Sequence, residues 1–139
     1  MDSKMETNEI SWIASRNYRA KRRDAPDAAW RDIYVAITVP RKLSKAERPI
    51  DSDVANYGCT VQTGAEFTRH IVAGGDALEA LFHGVLAIDA FLMAISKEQD
   101  LQGENGEAFD ANVNGLLFGS VAREYRAAWE QKQTGSGSK

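Results

Sequence analysis

Between Gly74 and Lys97, apolar residues return at steps of three and four: Leu78, Leu81, Phe82, Val85, Ile88, Leu92 and Ile95. That period predicts an amphipathic helix over 77–97, with one side laid on a sheet. Asp76 is placed to cap it, since its carboxylate can accept from free N–H groups of the first turn. Glu79, three residues on, can reach back as in a capping box. Gly74 and Gly75 let the backbone leave a strand and turn into that cap. Glu79, His83 and Ala90 fall opposite the stripe and are expected to face water. Lys97 suits the negative end of the helix dipole.

Upstream the period shortens to two. From Ile10 to Arg22, Trp12, Ala14, Arg16, Tyr18 and Ala20 alternate with Ile13, Ser15, Asn17 and Arg19, which predicts a strand closed by the turn 24–27. Residues 30–39 carry the clearest strand pattern, with Ile33, Val35, Ile37 and Val39 on one face and Pro40 as its stop. Residues 57–63 and 67–73 read as a hairpin around Gly64-Ala65-Glu66. Residues 40–56 read as a long charged connection with a helical turn near Ser44–Arg48. Residues 98–108 read as an acidic solvated loop, and 109–120 fits either a turn with a short strand or irregular packing. Val121, Tyr125, Ala128 and Trp129 make a narrow stripe on a last helix, 121–132, with Ser120 as its cap.

These elements predict an α+β domain: a four-stranded, mainly antiparallel sheet, one long amphipathic helix packed on it and a C-terminal helix. Residues 1–9 read as a flexible N-terminus, 10–133 as a single domain and 134–139 as a linker-like tail. One sheet face is left to be wet, covered by the last helix or buried against another chain, and Trp12, Tyr18, Trp30 and Tyr34 are the aromatics assigned to it.

Charge sharpens this little. The formal net charge is −3, which leaves no global footprint for nucleic acid or anionic membrane. Residues 1–73 carry 12 Lys/Arg against 10 Asp/Glu, and 74–139 carry 5 against 10, so the second half is the acidic one and favours a basic partner. Cys59 is the single cysteine, which rules out an intrachain disulfide and points to the cytoplasm. No uninterrupted apolar run approaches the length of a membrane span, and none is expected.

Candidate chemistry is sparse. Arg16, Tyr18, Arg19, Lys21, Arg22 and Arg23 could form a basic strand with an aromatic for stacking single-stranded nucleic acid; the alternative is a charged edge that deters strand addition. Glu98, Asp100, Glu104, Glu107 and Asp110 are dense in carboxylate but lack calcium-loop spacing. One cysteine and two scattered histidines give no zinc spacing, so neither metal nor cofactor is expected. Asp89 falls inside the apolar stripe, where a carboxylate needs a partner; Arg16 or Arg69 are the candidates. Asp89, Arg69, His70 and Cys59 make the one conceivable sheet–helix pocket for a ligand or a reaction.

Ile13-Ala14-Ser15-Arg16, the strand Val35-x-Ile37-x-Val39-Pro40, and Gly74 through Leu81 together resemble a small bacterial domain family of unknown function. Its first strand opens with I-A-x-R, and a G-x-D-x-x-x-A-L segment starts its main helix. The resemblance covers roughly residues 11–96 and implies this fold without implying an activity.

The reading that follows is a non-catalytic protein-binding module, such as an immunity-type inhibitor or accessory protein of a bacterial system. Its binding residues are expected among Arg16, Tyr18, Arg19, Arg22, Trp30, Asp100, Glu104 and Glu107, with a protein partner or a second copy of the chain. Nucleic-acid binding through Arg16–Arg23 and a small enzyme built on Asp89, Arg69, His70 and Cys59 are the alternatives.

Overall fold

The computed structural model describes residues 11–25, 27–63 and 68–137, with only the backbone for 135–137. The expectations for the N-terminus 1–9, the turn 64–66, Phe67 and the last two residues lie outside that set. Strand β1 (Trp12–Arg22) pairs antiparallel with β2 (Arg31–Thr38), setting Tyr18 opposite Ile33 and Arg16 opposite Val35. Past Val39-Pro40 the chain resumes as the two-residue strand β3 (Arg41–Lys42). Strand β4 (Tyr57–Thr63) runs beside both, with Ile37 opposite Val61 and Arg41 opposite Gly58. The register steps by one residue at the break, because proline has no N–H to give the ladder. There the hydroxyl of Thr38 accepts from the Thr60 N–H at 2.9 Å, replacing a backbone partner.

Strand β5 (Thr68–Gly74) pairs with β4 along its whole length. Strand β6 (Gln99–Gln102) returns to the free edge of β1, with Arg19 opposite Gln102 and Arg22 opposite Gln99. The sheet therefore has six antiparallel strands, not four. The four expected strands are β1, β2, β4 and β5. The two added ones lie in segments read as loops: β3 has two exposed residues, and β6 buries only Leu101, too little to show a period.

Helix α1 (Ala77–Ser96) follows the sheet with the expected cap, the Glu79 N–H donating to Asp76 Oδ1 at 2.8 Å. Glu79 reaches back one residue further than a capping box requires and accepts from the Gly75 N–H at 2.7 Å. Its contact line differs from the expected stripe. The fully buried row is Ala80, Gly84, Ile88 and Leu92, whereas Leu78 and Phe82 face outward. The cause is closeness: a Cβ on Gly84 would lie 2.5 Å from Ile37 Cδ1, so the helix seats its small residues on the sheet. By length and composition α1 is also apolar enough to cross a bilayer, contrary to the expectation that no segment is; one side of it packs on the sheet, and Asp89 is buried within it.

The core lies between α1 and one face of β1, β2 and β4: Tyr18, Ile33, Val35, Ile37, Cys59, Val61, Ile88 and Leu92. Each large aliphatic side chain removed from water there contributes about 1.5–3 kcal/mol before entropy is counted. Val39, expected in the same row, is 57% exposed beyond the break.

After β6 the chain turns at Gly103–Gly106, where Gly106 takes φ +78°, a conformation that favours glycine. The expected acidic loop is thus a strand, a tight turn and a bridge from Ala108 back to Gln102. A one-turn helix α2 (Ala111–Asn114) and a long helix α3 (Ser120–Gly137) complete the chain. α3 continues to Gly137, through most of the segment read as a tail. Ser120 does not cap it; its hydroxyl donates to the Val113 carbonyl at 2.7 Å.

Candidate interaction site

Asp89 is 1% exposed, and its partner is neither Arg16 nor Arg69. It accepts from the backbone N–H of Leu116 at 2.8 Å. That bond fastens the 110–119 segment against the flank of α1. Arg123 then ties α3 down by donating to the carbonyls of Phe118 and Asn112.

A cleft of about 720 Å³ opens between these parts. It is lined by Arg16 and Tyr18 of β1, Glu104 and Glu107 of the turn, Phe109 and Leu116, and Val121 and Tyr125 of α3. Four of the residues singled out from the sequence are therefore brought together: Arg16, Tyr18, Glu104 and Glu107. Tyr18 is 3% exposed, with its ring edge-on to Phe109 at 6.1 Å and its hydroxyl accepting from Arg16 at 3.1 Å. It belongs to the core side of the sheet, so the open-face position expected for it is corrected, and it cannot serve as a stacking platform.

The cleft's apolar lining continues along α3. Val121, Tyr125 and Trp129 are 60%, 76% and 62% exposed at four-residue steps, and residues 123–134 are exposed throughout. Tyr125 and Val121 were visible in the sequence only as a stripe of unassigned direction. Nothing in it marked them as the lining of a cleft.

Other candidates sit elsewhere. Arg22 is held by Asp24 through two bonds of 3.0 and 2.9 Å, which lowers the Asp24 carboxyl below its ordinary range. Arg23 bonds Asp100 at 2.9 Å and donates to the carbonyls of Ser96, Lys97 and Gln99, so it closes the C-terminus of α1. On the sheet face away from α1, the Trp30 ring has the Arg19 guanidinium and the Lys21 ammonium each 5.6 Å from its centre. Trp30 and Asp100 also line a smaller cleft of about 290 Å³. Farther along that face, Arg69 lies 5.4 Å over Trp12 and donates to Gln62 at 3.2 Å.

The tetrad Asp89, Arg69, His70 and Cys59 does not converge. Arg69 and Gln62 lie on the face opposite Cys59 and Val61, and Asp89 is committed to Leu116. Cys59 is 0% exposed, and burial raises its thiol pKa, which disfavours the nucleophilic thiolate. Among the described residues no group of three His, Cys, Asp or Glu stands together to hold a metal. Comparison with protein-family models, with curated proteins and with solved structures finds no match to this chain.

Proposed function

We propose that this chain is a non-catalytic protein-binding module, of the inhibitor or accessory kind, that receives its partner in the cleft between β1 and α3. The observation that carries this reading is the exposed row Val121, Tyr125 and Trp129, which extends the apolar lining of the cleft onto a helix exposed from Arg123 to Thr134. Aromatic side chains so placed are costly in water and are the residue types that anchor interfaces. Glu104 and Glu107, which also line the cleft, suit a partner whose apolar anchor is flanked by basic side chains. Capture from lysate of the native host tests it, with the unaltered chain and a Tyr125→Asp/Trp129→Asp variant side by side. A stoichiometric protein retained by the first and lost from the second supports the reading; no such protein with either, or equal retention by both, counts against it.

A second reading places single-stranded nucleic acid on the open sheet face. What favours it is the Trp30 ring with Arg19 and Lys21 on it, an arrangement of aromatic and cations that suits a stacked base beside its phosphate. Against it, Arg22 at the end of that strand and Arg23 just past it are already occupied by carboxylates. A gel shift with oligonucleotides that is absent at low salt would dispose of it.

A further inference from the structure

The cleft between β1 and α3 holds hydrogen-bonding capacity that the fold leaves unspent. Tyr18 lines it and is buried; its hydroxyl accepts from Arg16 at 3.1 Å, and no described residue accepts the hydroxyl's own proton. Arg16 has five N–H donors, and that bond uses one. Among the described residues no carboxylate is in ion-pair contact with Arg16, and no cation with Glu104 or Glu107. A buried donor without an acceptor is costly. The Arg16–Tyr18 pair therefore suits an acceptor brought from outside the chain. We propose that this acceptor is the α-carboxylate of the partner, whose C-terminus enters the cleft. This rests on the protein-binding reading and names the part of the partner that docks.

A carboxylate fits the pair because it offers two oxygens, one to the guanidinium and one to the phenol, and bonds to a charged acceptor are the strong ones. The rest of the lining selects which carboxylate. An aspartate or glutamate spends its side chain on the charge and brings nothing for Phe109, Leu116, Val121 and Tyr125. A C-terminal residue carries its charge on the backbone, so the same residue also buries an apolar side chain. A free phosphate has no apolar part and would meet two unpaired glutamates. Lysine or arginine just before the terminus answers Glu104 and Glu107. Capture of a terminal carboxylate is a recurring mode of peptide recognition. The volume agrees: about 720 Å³ falls within the roughly 300–1,000 Å³ of clefts that bury a drug-sized ligand. That holds the last few residues of a chain and excludes a folded domain.

The probe is a pool of labelled hexapeptides with two lysines before randomised apolar residues, made once as free acids and once as C-terminal amides. Passed over the immobilised full chain, the free acids are expected to be retained. By fluorescence anisotropy each retained acid should bind at least about tenfold more tightly than its amide. Arg16→Gln and Tyr18→Phe should each bring the acid down to the level of the amide. Tyr18→Phe keeps the ring in the core, so its affinity should fall while its melting curve stays close to that of the unaltered chain. Glu104→Gln/Glu107→Gln should weaken the retained acids and flatten their salt dependence. Equal binding of acid and amide overturns the proposal, and so does a pool of free acids from which nothing is retained. An amide ending in glutamate that binds as tightly as the acids also overturns it, since the carboxylate is then a side chain. Lysate capture separates this from the broader reading. A partner lost with Tyr125→Asp/Trp129→Asp but kept by Arg16→Gln and Tyr18→Phe leaves protein binding standing and removes the terminus from it.

Discussion

Glu47 shows how one side chain can hold a surface connection in place. It receives two bonds from Arg41, at 3.0 and 2.6 Å, and a third from the Ser44 N–H at 2.9 Å. The Arg41 bonds first, then the Ser44 amide, bring its carboxyl from an ordinary 4.5 down to about 2. A pKa lowered by folding contributes stability that is fully present above the unfolded value and is lost as pH falls through the folded one. The hold on the 41–47 turn should therefore weaken between about pH 4.5 and 2. Following the Ser44 amide by NMR during acid titration checks this, and Glu47→Gln should remove the transition. Because the Arg41–Glu47 pair lies at the surface and both side chains stay partly open to solvent, the effect is local and the global melt should shift little. Cys59 makes the opposite case. Buried and with its pKa raised, it should react with a thiol reagent at a small fraction of the rate seen in denaturant. Equal rates would mean that the β4 core opens freely.

At the scale of elements, Asp89 is the joint between the sheet–helix body and the C-terminal arm. Asp89→Ala leaves the Leu116 N–H without its acceptor, at a cost of about 1–3 kcal/mol, and frees the 110–119 segment. Denaturant unfolding measures the cost, and faster hydrogen exchange at Leu116 locates it. Asp89→Asn keeps an acceptor and should lose less. A buried carboxylate could be read from its place in the apolar stripe, but its partner could not. The partner is a backbone group 27 residues away, and backbone donors carry no sequence signature. The cap at Asp76 was legible because capping is local. The contact line of α1 was not, since Ala80 and Gly84 are chosen for closeness to Ile37 and Val61 rather than for hydrophobicity. The outward Leu78 and Phe82 then drew the expected stripe away from the true one.

At the scale of the whole molecule, body and arm are separable. The core cluster contains no residue of α3, whose residues 123–134 are exposed. Ending the chain after Arg126, which keeps the Arg123 bonds, should leave the cooperative melt in place while abolishing partner capture. A large fall in melting temperature would mean that α3 is part of the fold. The α+β class and the meander β1-β2-β4-β5 followed from alternation and turns, all short in range. The closing strand β6 did not, because what makes it a strand is β1.

That closing pair also sets a clock. Arg19 and Gln102 face each other across 83 residues of chain. At synthesis rates of about 5–20 residues per second, the second edge of β1 waits roughly 4–17 s for its partner to be made. Throughout that interval a nascent chain presents an unpaired strand to every neighbour on the same message. Arg19, Lys21 and Arg22 line that waiting edge, and their mutual repulsion between chains protects it until β6 arrives.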